Sequence, residues 1–127
     1  MRLISWDDCY SVGNEELDNQ HINLFNIINT LYEMCFKYEH VYLFNSVIDE
    51  LANYTDYHFS IEEQCMEDIG YIDIDKHILK HSYFIKYILK LKQMNIESVS
   101  ESTKLLIANL GNWLLHHVIE EDKKIPY

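Results

Sequence analysis

Histidines at helical spacing, accompanied by carboxylates, recur in four stretches of this chain, and that combination binds metal ions. His58 and Glu62 stand four residues apart, as do His77 and His81. A separation of four stacks two side chains on one face of a helix, one turn apart, so both can point at one ion. His21 shares a stripe with Leu24, Phe25 and Ile28, and His117 lies four residues after Trp113. These stripes are otherwise apolar, which predicts that the ligand-type groups point into the core, where they require partners. A single such histidine would read as an ordinary hydrogen-bonded residue. Inward histidines on four separate segments, with an inward carboxylate, read as a metal centre, because unpartnered buried imidazoles would destabilise the fold.

The residue types narrow the metal. Imidazole with carboxylate suits zinc, iron, manganese or copper. Cys9, Cys35 and Cys65 lie off the site, which argues against a thiolate zinc centre. Five histidines are too many for one tetrahedral zinc, so two ions are expected. On two octahedral irons, five imidazoles, two bridging carboxylates and one bridging oxygen leave a single position open, as a site built to bind a small ligand requires. The second carboxylate stays divided. Glu121 lies one turn beyond His117, as a regular helix favours, whereas Asp122 reaches the same face only if the helix end is distorted.

Four helices are needed to position these groups. An arm of about residues 1–17 comes first, with Trp6 and Val12 available to pack on the body. Helices are predicted over about 18–38, with Asp18 as N-cap, 41–66, ended by Gly70, 74–94, and 102–120, after the polar stretch Ser98 to Ser102. The apolar positions recur at helical spacing: Leu24, Phe25, Ile28, Leu31, Tyr32 and Cys35 in the first helix, and Ile78, Phe84, Ile85, Ile88 and Leu91 on the inner side of the third. The chain has 127 residues, only three Gly and one Pro, too few for a fold of many tight turns. The expectation is one all-α domain over 1–127, an up-down-up-down antiparallel four-helix bundle with an extended N-terminal arm.

Charge and composition exclude several functions. The formal net charge of −11 leaves no basic stripe for nucleic acid and disfavours an anionic membrane surface. No apolar run reaches the ~18 residues of a membrane span. Asp7 and Asp8 interrupt the N-terminal apolar stretch, so it does not read as a secretory signal. The three cysteines are odd in number and lack a CxxC pair, as free thiols of a reducing cytosol would be. A cytoplasmic location is expected.

The motifs together resemble the hemerythrins over nearly the whole chain. SVGNEELDNQHINLF is similar to that family's first-helix segment, in which Asp-x-Gln-His supplies the first ligand, here His21. HFSIEEQCM resembles the HxxxE segment, with His58 and Glu62. HILKH resembles the HxxxH segment, with His77 and His81. WLLHHVIEED resembles the segment in which a histidine is followed by an aspartate five positions on, here His117 and Asp122. The resemblance therefore favours Asp122 over Glu121 and His117 over His116, and leaves His40 as a surface residue.

It also implies two iron ions, cycling between Fe2+ and Fe3+, with an oxo or hydroxo bridge and dioxygen as ligand. His77, His81 and His117 would saturate one iron, His21 and His58 would leave the other open, and Glu62 and Asp122 would bridge them. Leu24, Phe59, Trp113 and Leu114 are the expected lining of a dry ligand pocket, with Asp18 and Tyr54 as outer hydrogen-bond partners. The implied function is reversible dioxygen binding for storage, delivery or buffering, without enzymatic turnover. Nitric oxide or peroxide are further ligands to weigh, and no protein partner is indicated. Two other readings use the same metals. An oxidase or ferroxidase of ferritin type would carry Glu-x-x-His motifs, which the chain lacks. A sensor would signal oxygen or redox state to a partner, but no output domain accompanies the helices.

Overall fold

The computed structural model describes residues 2–36, 41–94 and 101–127. Among them are four helices and no strand: α1 (Glu15–Met34), α2 (Val41–Ile69), α3 (Ile74–Gln93) and α4 (Glu101–Glu120). Single 3₁₀ turns cover Asp8–Tyr10 and Asp122–Lys124. α1 packs on α2 and α4, and α3 packs on the same two. The histidines and carboxylates that converge come from early in α1 and α3, from late in α2, and from the end of α4 and the turn just after it. That meeting at one end requires successive helices to run in opposite directions, which makes the fold an up-down-up-down four-helix bundle. No helix among the described residues is long and apolar enough to cross a membrane.

Local chemistry sets the helix ends. α1 begins three residues earlier than the spacing alone indicates. Asn14 is its N-cap, and the Asn14 side chain accepts from Leu17 N at 3.1 Å, satisfying one of the amides that a helix start leaves unpaired. Glu15, Glu16 and Asp18 follow in the first turn, where the helix dipole favours negative charge. Asp18 is thus not the cap. Its carboxylate accepts from Val12 N at 2.9 Å and Ser11 Oγ at 2.5 Å, and so fastens the arm to the helix. α2 runs beyond Met66 and stops at Gly70, whose φ of +66° lies in the left-handed region that glycine enters without cost. Gly70 N donates to Glu67 O and Tyr71 N to Met66 O, the paired bonds that close a helix C-terminus. The expected end of the first helix at Tyr38, the placement of His40 and the start of the Ser98 to Ser102 stretch lie outside the described residues.

The core below the histidine cluster is apolar, built around Phe25, Phe44, Phe84, Leu24, Ile28, Leu31, Leu51, Ile88 and Leu91. On α3 the buried positions are His77, His81, Phe84, Ile88 and Leu91, a stripe at the three- and four-residue spacing of one helix face. Ile78 was expected on that inner side, yet it is 37% exposed, because it sits a third of a turn round from His77. Ile85 is half-buried.

The arm is docked by Asn29, a buried polar residue of α1. Leu3 N and Ile4 N both donate to Asn29 Oδ1, at 2.9 and 3.0 Å, and Asn29 Nδ2 donates to Ile4 O at 2.7 Å. Trp6 meets Tyr10 and Phe25 edge-on. The arm also reaches α4, where a Cβ on Gly111 would stand 2.6 Å from Leu3 Cδ2. Removing the amide strands two backbone N–H groups, so Asn29→Ala should cost about 1–3 kcal/mol of stability. Denaturant unfolding measures that loss, and hydrogen exchange should show the Leu3 and Ile4 amides losing protection while the α2 and α3 amides keep theirs.

Candidate metal centre

The bundle brings His21, His58, Glu62, His77, His81, His117 and Asp122 together at one end, all of them buried. They form two overlapping groups: His77, His81 and His117 with Glu62 and Asp122, and His21 and His58 with the same two carboxylates. The carboxylates divide their oxygens between the groups. Glu62 Oε1 lies 2.8 Å from His77 Nε2 and 3.0 Å from His81 Nε2, while Glu62 Oε2 faces His58 and His21 Nε2 at 3.5 and 3.6 Å. Asp122 Oδ1 lies 2.9 and 3.0 Å from His77 and His117 Nε2, and Oδ2 lies 3.1 Å from His21 Nε2. Each carboxylate therefore faces both groups, as a bridging ligand must.

Asp122 reaches the cluster because α4 stops at Glu120. Glu121 N makes the last α-type bond, to His117 O, and the chain then tightens, with Lys124 N donating to Glu121 O and Ile125 N to Asp122 O. That 3₁₀ turn swings Asp122 inward. Glu121 is left at the surface, paired with Lys80 at 2.6 Å and Lys124 at 3.7 Å. His116 points outward, 3.5 Å from Glu120.

The donor set fits metal ions better than it fits itself. His21 Nε2, Glu62 Oε2 and both Asp122 carboxylate oxygens are buried with no hydrogen-bond partner, a costly condition in a low-dielectric interior. His77 and His117 bring their Nε2 atoms within 3.2 Å of each other, which two neutral nitrogen lone pairs would resist. Ions between these atoms would remove both conflicts. Imidazole nitrogens with carboxylate oxygens, and no thiolate, suit iron.

Without metal, protons substitute for the missing charge. Burial alone would lower the His21 and His77 pKa values, but the Asp122 and Glu62 carboxylates outweigh it and lift both to about 9. The same balance raises His81, through Glu62 and Glu63. His58 goes the other way: burial dominates and holds its imidazole neutral, with a pKa lowered to about 4. Burial pushes Glu62 and Asp122 up, and the Asp122 charge adds to this at Glu62, yet the surrounding histidines hold both well below the usual carboxylate range. The Tyr127 phenol is pushed up by burial first and then by the Glu62 and Asp122 charges, which keeps it neutral.

Outer contacts fix the rings. His58 Nδ1 lies 2.7 Å from Gln20 Oε1, and His81 Nδ1 lies 2.7 Å from Glu63 Oε2. Phe59 stacks on His81 at 3.7 Å with an interplanar angle of 1°, and Trp113 stacks on His117 at 4.5 Å and 11°. Of the four expected pocket residues, Leu24, Phe59 and Leu114 are buried and Trp113 is half-buried. Phe59 and Trp113 lie closest to rings of the three-histidine group, and the Phe59 ring is 5.7 Å from that of His58. Asp18 and Tyr54 are not the outer partners. Asp18 holds the arm, and Tyr54 OH accepts from Asn23 at an exposed position. The actual partners, Gln20 and Glu63, sit directly beside His21 and Glu62 in the chain, where a reading of single helix faces passes over them. The signal that could have found them is a polar residue one position from a ligand, aimed at the neighbouring helix.

Comparisons with known proteins bear on the family and the fold. The sequence profile described as hemerythrin HHE cation binding domain matches residues 12–125. A bacteriohemerythrin from Clostridium acetobutylicum is 31% identical over 129 residues, covering 96% of this chain and 98% of that protein. One from Pseudomonas aeruginosa is 33% identical, covering 96% of this chain and 78% of that protein. A crystal structure of wild-type hemerythrin superposes with a TM-score of 0.82 at 23% identity, covering 96% of this chain and 94% of that one.

Two outcomes follow for metal loading. Asp122→Ala should lower metal occupancy, measured by elemental analysis, whereas His116→Ala should leave it unchanged. Metal uptake must also displace the protons on His21 and His77, so at pH 7 loading should acidify an unbuffered solution. Affinity should rise with pH towards the value of about 9 at which those rings lose their protons unaided.

Proposed function

The chain belongs to the hemerythrin family, and from that premise we propose that it binds dioxygen reversibly at a centre of two iron ions, storing, delivering or buffering it without turning it over. One observation carries the reading: the two groups share both carboxylates but differ in histidine count, three against two. A pair of ions held by unequal ligand sets is coordinatively unequal, and the two-histidine position is the one with room for a small ligand. Iron bound there would supply that open position together with the electrons that dioxygen takes up on binding.

The remaining work falls to the protein. His77, His81 and His117 would complete the shell of one ion, His21 and His58 would hold the other, and Glu62 and Asp122 would tie the two together. Complete burial of His21 and Glu62 keeps bulk water and its protons from the ligand, which favours release of intact dioxygen over loss of a reduced product. Leu24, Phe59 and Leu114 belong to the buried apolar core, and Phe59 carries that core onto the cluster through its stack on His81. Trp113 and Phe59 cover ring faces and limit tilting of the histidines they stack on.

The test is a cycle. Protein reconstituted anaerobically with Fe(II) is exposed to oxygen, and the oxygen is then removed while the visible spectrum is recorded. A charge-transfer band that appears and disappears over repeated cycles is expected, with two irons per chain. Oxygen consumption with permanent conversion to a ferric form would defeat the carrier reading, and analysis finding a single zinc would defeat the di-iron reading.

A further inference from the structure

Two of the five cluster histidines carry a hydrogen bond on the nitrogen that faces away from the cluster, and the two acceptors differ in charge. His58 Nδ1 donates to the Gln20 carbonyl oxygen at 2.7 Å, and His81 Nδ1 donates to a Glu63 carboxylate oxygen at 2.7 Å. Neither acceptor oxygen carries a proton, so in both cases Nδ1 donates, and Nε2 would be the nitrogen that offers its lone pair to a bound metal. Gln20 is buried on α1 and neutral. Glu63 is on α2, with its side chain 31% exposed. His58 belongs to the two-histidine group and His81 to the three-histidine group, so the charged acceptor supports one metal position and the neutral acceptor the other.

We propose that this difference sets the redox order of the two irons: Glu63, acting through His81, makes the three-histidine position the first to be oxidised, while Gln20, acting through His58, leaves the two-histidine position ferrous for longer. A carboxylate draws the Nδ1 proton towards itself, so the imidazole gains electron density and becomes a stronger donor. A stronger donor stabilises the ferric state. An amide carbonyl orients its ring equally well but pulls on the proton less. Neither Glu63 nor Gln20 belongs to the converging ligand set, so both are positioning residues. The inference rests on the di-iron reading and not on dioxygen binding. With ferricyanide as one-electron oxidant, one electron leaves the iron(II) of the three-histidine position, which becomes iron(III), and ferrocyanide forms.

The experiment is an anaerobic potentiometric titration of the iron-loaded protein and of two variants, Glu63→Gln and Gln20→Glu, each with its iron content measured. Glu63→Gln keeps an acceptor and removes the charge, so it should retain two irons, shift the first oxidation step to higher potential and leave the second nearly unmoved. Gln20→Glu should shift the second step to lower potential, bringing the two together. In the diamagnetic zinc-loaded protein, the His81 Nδ1–H proton resonance should move upfield in Glu63→Gln, reporting the weaker bond directly. Two outcomes would overturn the proposal. One is a Glu63→Gln protein with both irons and unmoved potentials, and the other is loss of iron from that variant, which would make Glu63 a residue of metal retention. Admitting oxygen afterwards separates the two readings, since a wild-type protein with the expected potentials but no reversible oxygen band defeats only the carrier function.

Discussion

Two buried carboxylates facing five buried imidazoles dictate most of what is particular about this bundle. Among the described residues, the ion pairs of Glu62 and Asp122 are all with histidines, so no lysine or arginine offsets their burial. An arrangement with that much desolvated charge is tolerable only when positive charge is placed inside it. In the metal-free chain protons fill the role, which is why His21 and His77 hold theirs so far above the ordinary imidazole range. The overall negative charge of −11 belongs to the same picture, since a surface rich in carboxylates favours the approach of cations. The apolar half of the bundle, around Phe44, Ile48 and Leu91, supplies the stability that the polar half lacks.

Legibility in the sequence followed periodicity closely. His58 with Glu62 and His77 with His81 announce themselves because regular helices convert a spacing of four into a shared face, and the helices carrying them are regular. The fold followed from the same periodicity and from the scarcity of glycine and proline. Legibility failed where regular geometry ends. Spacing alone could not choose Asp122 over Glu121, because the choice is made by a 3₁₀ turn after Glu120, and such a turn depends on the packing of residues beyond the helix. Asp18 looked like a cap because it is an acid near a helix start, but Asn14 was nearer and the arm required the carboxylate. Gln20 and Glu63 act across helix interfaces. Their roles depend on which helix lies alongside, and that information is tertiary.

Rigidity is unevenly distributed between the two groups of the site. The three-histidine group is braced by the Glu63 carboxylate, by Phe59 against His81 and by Trp113 against His117. The two-histidine group is braced on His58 by Gln20, whereas His21 Nδ1 has no hydrogen-bond partner. One half of the centre is therefore held more firmly than the other. On the proposed function, a small ligand would be accommodated on the side whose ligands have more freedom, and firm bracing would suit the half whose coordination stays unchanged.

The turn that delivers Asp122 has a topological consequence. The ligands begin at His21 and end at Asp122, so an occupied centre joins both ends of the helical body through non-covalent bonds and acts as a cross-link closing nearly the whole chain. In the chain-entropy model, a covalent closure of roughly 100 residues removes about 4.7 kcal/mol of freedom from the unfolded state. A metal clasp resembles that closure but can be opened by a chelator. The bundle thus carries a reversible staple whose last contact lies beyond the end of α4.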